Sequence, residues 1–271
     1  IDWPIFQWVF DVSFNGHRAH AGLSHPNILS NYLTIVLGLG LGLLVGQIYQ
    51  GAKESRRMTA AIATAVTLAG IGVFCTSSRN GLIAAVALLL IAGYLARRYR
   101  WVWMLGLVIA SAITTGLLVM GFGGRSLSIA LFTNDPRVAA WQIAIDLIQQ
   151  RPFVGWGLGG FSHQYVPFRV TDHERLFHPH NLWLYLACDT GIPTMLLFCG
   201  VVGHRYMAGI RRLLVSPNTA LLSYLLGFTG CILFGLFDVT LFDARINVLS
   251  WFLLASIGVL TRHTSSSNPQ K

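Results

Sequence analysis

Apolar residues in this chain arrive in long blocks, without the alternation of half-buried strands or the narrow stripe of surface helices. Seven blocks come close to the roughly 20 apolar residues that a helix needs to cross a bilayer. They cover 27–49, 58–76, 80–96, 101–122, 181–203, 219–237 and 246–261. The third and seventh are short, so they call for local thinning of the bilayer or help from flanking residues. Between the blocks lie a polar head at 1–26 and a long connection at 123–180, and the chain ends in a polar tail at 262–271. The expected fold is all-α and membrane-integral, with about seven transmembrane helices. Four helices fall in 27–122 and three in 181–261, separated by the long loop.

That loop is too long to be structureless. Asn134-Asp135-Pro136 reads as a helix start, with Asp135 as cap and Pro136 at the first position. From Arg137 to Gln150, Val138, Trp141, Ile145 and Ile148 recur at helical spacing, with Gln142, Asp146 and Gln149 opposite. This predicts an amphipathic helix on the membrane surface or over the bundle. Arg151-Pro152 ends it, and Gly155-Trp156-Gly157-Leu158-Gly159-Gly160 follows as a flexible turn. The turn satisfies G-x-G-x-x-G but follows a helix with no βαβ unit around it, so it is not read as a dinucleotide site. Its bare backbone is read as a place where a partner approaches closely.

Composition supports the membrane reading. Of 271 residues, 54% are hydrophobic and only 11% charged, well under the roughly 25% of soluble domains. The formal net charge of +9 is mainly a topology signal. Lys53, Arg56, Arg57, Arg97, Arg98, Arg100, Arg205, Arg211, Arg212, Arg262 and Lys271 would share one side, against Glu54 alone. The positive-inside rule assigns that side to the cytoplasm. The head, the 76–80 turn, the 123–180 loop and the 238–245 turn then face outward, and nucleic acid is not an expected partner. The chain begins at Ile1 with no signal peptide ahead of its first span. Seven spans with an outward N-terminus need an export device, so a C-terminal fragment lacking earlier spans is expected. Cys75, Cys188, Cys199 and Cys231 all lie in apolar segments without metal-ligand spacing, and are read as small core residues.

Candidate chemistry crowds the outward face, which holds His17, His20, His25, His163, His173, His178 and His180. Arg79 lies in Ser77-Ser78-Arg79-Asn80-Gly81, a turn opening the third span with Ser77 or Ser78 as cap. A helix N-terminus plus a guanidinium suits a phosphate or diphosphate, although a surface arginine snorkelling to headgroups also fits. Arg137 opens a helix against the dipole, which points to a partner: Asp135, Asp146 or a second phosphate. His178-Pro179-His180-Asn181 leads into the fifth span, where an imidazole can take a proton from a hydroxyl or simply cap the helix entry. A zinc site of His173, Glu174, His178 and His180 matches no closed zinc motif, and no metal is expected. Asp189 is the one acid inside an apolar segment. It is either functional or bound to backbone freed at a kink that Gly191 and Pro193 predict.

Taken in order, these blocks resemble the O-antigen ligase and O-antigen polymerase family of bacterial membrane glycosyltransferases. His25-Pro26-Asn27 is similar to its Pro-Asn span entry, and Ser78-Arg79-Asn80-Gly81 to its Ser-Arg-x-Gly/Ala turn. Arg137 with Trp141, then Pro152-Phe153-Val154-Gly155-Trp156-Gly157 and Phe161, resemble its loop helix and Gly-rich turn. His180-Asn181 followed by Asp189-Thr190-Gly191-Ile192-Pro193 resembles its His-Asn…Glu-x-Gly segment, with Asp in place of the usual Glu.

The resemblance implies transfer of a glycan from undecaprenyl diphosphate to an acceptor hydroxyl, without cofactor, metal or nucleotide sugar. The reaction would take place at the periplasmic face of the bacterial inner membrane. Lipid A core is the first acceptor to consider. Polymerisation of repeat units and protein O-oligosaccharide transfer use the same residues, and a membrane transporter is the alternative from another class. On this reading His180, Arg79 and Arg137 are catalytic. His178, Asn181, Trp141, Gly157 and Asp189 bind substrate, and membrane lipids are the remaining partners.

Overall fold

The computed structural model describes residues 10–11, 18–50, 56–99, 136–165 and 176–262, together with 104, 106, 108 and 111. Apart from a two-residue antiparallel pairing of β1 (Phe10–Asp11) with β2 (Arg18–Ala19), its regular structure is helical. Most of the expected 101–122 span, His173 and Glu174 lie outside the described residues.

The chain divides into two compact units. The first covers Ile1–Ser126, Arg205–Ile232 and Thr240–Lys271. It opens with α1 (Pro26–Gln50), α2 (Arg56–Cys75) and α3 (Arg79–Leu95), which follow the first three apolar blocks. The facing sides of these helices bury Leu37, Leu41, Val73, Ala85 and Leu88. A seam of small residues on α1 brings the part of α8 (Thr219–Gly235) within this unit into direct backbone contact. A Cβ at Gly38, Gly42 or Gly46 would run into Leu226, Ser223 and Thr219 respectively. Ser223 Oγ donates to the Leu39 carbonyl across that seam, at 2.5 Å. Small residues spaced by four let two backbones approach where lipid offers no hydrophobic drive to helix association. The last helix, α9 (Ala244–Arg262), buries Ile246, Ser250, Leu253, Leu254 and Ile257 on one helical stripe.

The second unit covers Leu127–His204 and Leu233–Val239. It contains α4 (Pro136–Gln150), α5 (Gly160–Tyr165), α6 (Leu182–Thr190) and α7 (Ile192–Val215) as far as His204. The expected fifth span is therefore two helices. Gly191 sits between them at φ +85°, ψ 161°, a conformation open in practice to glycine alone. Helix α4 starts at Pro136 and stops before Arg151, as its capping and breaking residues imply. Its buried stripe differs from the expected one. Ala140, Ala144 and Leu147 form it, with Ile148 packed alongside, while Ile145 is exposed. The small alanines allow α4 to settle closely on Phe161 and Tyr165 of α5 and Cys188 of α6. The large isoleucine is left outside that contact.

Pro26–Tyr49, Arg56–Cys75 and Ala244–Arg262 are long and apolar enough to cross a membrane, and Arg79–Leu95 and Thr219–Gly235 are shorter apolar helices. Each of the shorter pair has 17 residues, about 25 Å at 1.5 Å per residue, against a hydrocarbon core of about 30 Å. The protein is an all-α membrane protein.

Candidate active site

The second unit builds two polar centres from residues distant in sequence. The first lies at the mouth of α6. Asn181 caps that helix, its side-chain oxygen accepting from the N–H groups of Trp183 and Leu184, both at 3.0 Å. Its amide nitrogen donates to the Leu236 carbonyl at 3.0 Å, fastening the mouth to the turn after α8. His180, just before the cap, adopts φ +48°, a left-handed conformation uncommon for any residue with a Cβ. The turn is held by the His180 N–H, which donates to His178 Nδ1 at 3.3 Å. The two imidazoles meet edge to face, with centroids 4.5 Å apart.

The strained backbone presents His180 Nδ1 to Asp238 Oδ1 at 3.1 Å. Asp238 is buried, and burial by itself would push its carboxyl up. The hydrogen bond from His180, the charge that His180 and His178 carry when protonated, and the Val239 N–H outweigh it. Together they hold the carboxyl well below the usual carboxylate range. An ionised carboxylate only accepts hydrogen bonds, so Nδ1 of His180 must carry the hydrogen. In the neutral form of the ring Nε2 is then the lone-pair nitrogen and can act as a base. His178, His180 and Asp238 each offer one ligand atom, all within 4.8 Å of one another, so this group is also where a metal ion could be held.

The second centre is the Gly-rich turn, 152–160. Asp189, only 2% exposed near the end of α6, accepts from the Gly159 N–H at Oδ2 (2.7 Å) and from the Phe161 N–H at Oδ1 (3.1 Å). The Tyr185 hydroxyl adds a further hydrogen bond to it. The α6 backbone also takes part, with Trp156 N–H donating to the Cys188 carbonyl and Gly157 N–H to the Asp189 carbonyl, both at 2.9 Å. In the other direction, Ile192 N–H donates to the Pro152 carbonyl at 2.8 Å. This close approach needs glycine on both sides. A Cβ on Gly155 would strike the Asp189 carbonyl, and one on Gly191 the Phe153 carbonyl. The turn expected to be flexible is thus pinned through its backbone.

Arg137 and Trp141 are both half-buried on α4. The indole Nε1 of Trp141 is buried and, among the described residues, has no hydrogen-bond acceptor. Arg79 belongs to the first unit, in the first turn of α3. Ser78 is the cap of that helix, accepting from the Gly81 N–H at 3.4 Å. Below it, Arg18 Nε donates to the Thr76 carbonyl at 2.9 Å and Nη2 to Asn27 Oδ1 at 3.1 Å, tying the head to the turn before α3. The structure therefore gathers His178, His180 and Asn181 with Asp238, and Gly157 with Asp189. Sequence reasoning missed Asp238 and Arg18. The one available signal for Asp238 was an acid in a short turn on the histidine-rich side.

A family model described as O-antigen ligase matches residues 62–199, more than half of the chain. No curated protein and no solved structure gives a significant match. The matched stretch contains Arg79, Arg137, Trp141, His178, His180, Asn181 and Asp189 and stops short of Asp238. The chain belongs to the O-antigen ligase family. Membership assigns it glycosyl transfer of the ligase/polymerase type in general, acting on lipid-linked glycans.

Proposed function

We propose that this protein transfers a glycan from undecaprenyl diphosphate to an acceptor hydroxyl at the periplasmic face of the inner membrane, and that lipid A core supplies the hydroxyl. The observation that carries the proposal is the His180–Asp238 pair at the mouth of α6, in a member of a glycosyl-transferring family. In this scheme Nε2 of His180 takes the acceptor proton as the acceptor oxygen bonds to the anomeric carbon of the glycan. The bond from that carbon to the diphosphate breaks, and the diphosphate departs with the electron pair. General-base assistance of this kind is worth about 10²–10⁴-fold.

Asp238 keeps the base in the productive tautomer, as the buried acid of a hydrolytic triad does. Arg79 and Arg137 each offer a planar fork of donors that suits a phosphate group. His178 and Asn181 shape the mouth, and Trp141 offers its dry indole N–H to a glycan hydroxyl. Gly157 and Asp189 set the turn against which the glycan lies. No step requires a metal.

The test is a host that carries a lipid-linked O-polysaccharide but lacks its own ligase, expressing either this protein or its His180→Ala variant. A lipopolysaccharide ladder on a gel that disappears with His180→Ala at equal protein level is the expected result. A well-inserted protein giving no ladder would overturn ligation to lipid A core. Longer lipid-linked glycan would then identify repeat-unit polymerisation, glycosylated protein would identify protein transfer, and proteoliposome uptake with no covalent product would identify transport.

A further inference from the structure

Between α2 and α3 the chain turns a corner at 76–78, and Arg79 is the first residue after it. The corner is strained. Ser77 sits at φ +50°, in the left-handed region that a residue with a Cβ rarely adopts. Such a conformation persists only where its surroundings over-determine it. The corner is also dry, with Thr76, Ser78 and Asn80 buried, so its backbone groups need partners inside the protein. Nearby residues supply several of them. Thr76 N–H donates to the Gly72 carbonyl at 3.1 Å, and Ser77 N–H to that of Phe74 at 3.0 Å. Thr76 Oγ1 donates to the Val73 carbonyl at 2.6 Å and accepts from the Ser78 N–H at 3.3 Å. The Thr76 carbonyl is satisfied from much farther away. Arg18 Nε, 58 residues earlier in the chain, donates to it at 2.9 Å.

Arg18 holds the corner from a fixed point. Its Nη2 donates at 3.1 Å to Oδ1 of Asn27, a buried residue in the first turn of α1. The Asn27 N–H in turn donates to His25 Nδ1 at 3.1 Å. One rigid guanidinium thus joins α1 to the end of α2 through two different nitrogens, a geometry that the single ammonium of a lysine does not reproduce. A cation beside the carbonyl end of α2 also complements the dipole of that helix.

We propose that Arg18 is a positioning residue for the transfer reaction. By holding the Thr76 carbonyl it maintains the strained corner from which α3 starts, and so sets where the Arg79 guanidinium meets the diphosphate of the donor. The inference rests on the proposed reading of Arg79 as a phosphate-binding group. Without Arg18 a buried carbonyl loses its donor, and the left-handed conformation at Ser77 loses one of the ties that impose it. A backbone rotation there re-aims a long side chain two residues on.

The test measures binding of undecaprenyl diphosphate to the full chain in detergent, by thermophoresis. The parent, Arg18→Gln, Arg79→Gln and the double variant are compared, with thermal unfolding of each recorded alongside. Arg79→Gln is expected to weaken binding about 10–100-fold, the worth of a hydrogen bond to a charged group. Arg18→Gln is expected to weaken it several-fold. The double variant should bind no more weakly than Arg79→Gln alone, because Arg18 acts through Arg79. A residue that only stabilises the fold would lower the unfolding temperature without that coupling. Parent-like binding by Arg18→Gln, or losses that multiply in the double variant, would overturn the proposal and leave the reading of Arg79 standing. No binding by the parent, or parent-like binding by Arg79→Gln, would overturn the donor contact itself and this inference with it. If Arg18→Gln does not fold, Arg18→Lys, which keeps the charge and one arm of the tie, takes its place in the same cycle and is judged by the same two outcomes.

Discussion

Two buried carboxylates of the second unit, Asp189 and Asp238, do opposite kinds of work. Asp189 directs both oxygens at backbone N–H groups and so ties the Gly-rich turn to a broken helix. Asp238 directs one oxygen at an imidazole and at its own neighbour's N–H, leaving the far ring nitrogen available. Burial raises the stakes of both, because an acceptor removed from a dry site leaves its donor unpaired. The difference lies in what the donor is. A backbone N–H can only be held, whereas a ring N–H, once held, determines what the other side of the ring can do.

The strongest way to break this comparison is Asp238→Asn. Transfer is expected to fall by about 10²–10⁴-fold with the fold intact, because the amide no longer fixes the His180 tautomer. Initial rates in membranes, with protein level measured alongside, check it. If activity survives, Asp238 does no more than hold the fold. Asp189→Ala should show the reverse profile, a stability loss of about 2–5 kcal/mol from two stranded N–H groups, that of Phe161 buried and that of Gly159 half-buried, read as thermal unfolding in detergent. Gly191→Ala should lower stability by about 1–3 kcal/mol for the forced backbone alone, with more from the collision with the Phe153 carbonyl.

The pH dependence sharpens the contrast more gently. The Asp238 pKa is depressed in the folded state, so its stabilisation is complete above the ordinary carboxylate pKa, about 3.9, and is lost as pH falls through the folded value. The gap in unfolding temperature between the wild-type protein and Asp238→Asn should persist from pH 7 to about 4 and close only below that. The smallest expected effect is that of a chelator. Transfer should be unchanged by EDTA, and a loss restored by added zinc would turn the His178–His180–Asp238 group into a metal centre.

Much of the fold was legible because membrane helices announce themselves locally. Continuous apolar runs foretold α1, α2, α3, α8 and α9, and Gly191 with Pro193 foretold the break between α6 and α7. A serine cap at 77 or 78, which the structure resolves to Ser78, and Pro136 as a helix start rest on the same short-range chemistry. The stripe of α4 was misread for a physical reason. Hydrophobicity ranks isoleucine above alanine, but a tight helix contact selects for smallness, so Ala140 and Ala144 went inside and Ile145 stayed out. The candidate site was legible as far as its local motifs reached. His180 stood out beside Asn181 at a span entry, whereas its partner Asp238 is 58 residues away, and no period or spacing encodes such a pairing. The role of Asp189 in pinning Gly159, 30 residues earlier, was hidden for the same reason.

The seam between α1 and α8 has a consequence in time. Leu39 and Ser223, which meet across it, are 184 residues apart, so at 5–20 residues per second a ribosome makes the second roughly 10–40 s after the first. Throughout that interval Gly38, Gly42 and Gly46 have no α8 to rest against. The hairpins that α1 forms with its immediate successors must keep it upright and correctly turned until α8 is made. The packing of α2 and α3 on α1 thus serves as scaffolding during synthesis, and the glycine groove is a berth kept open for a helix that arrives late.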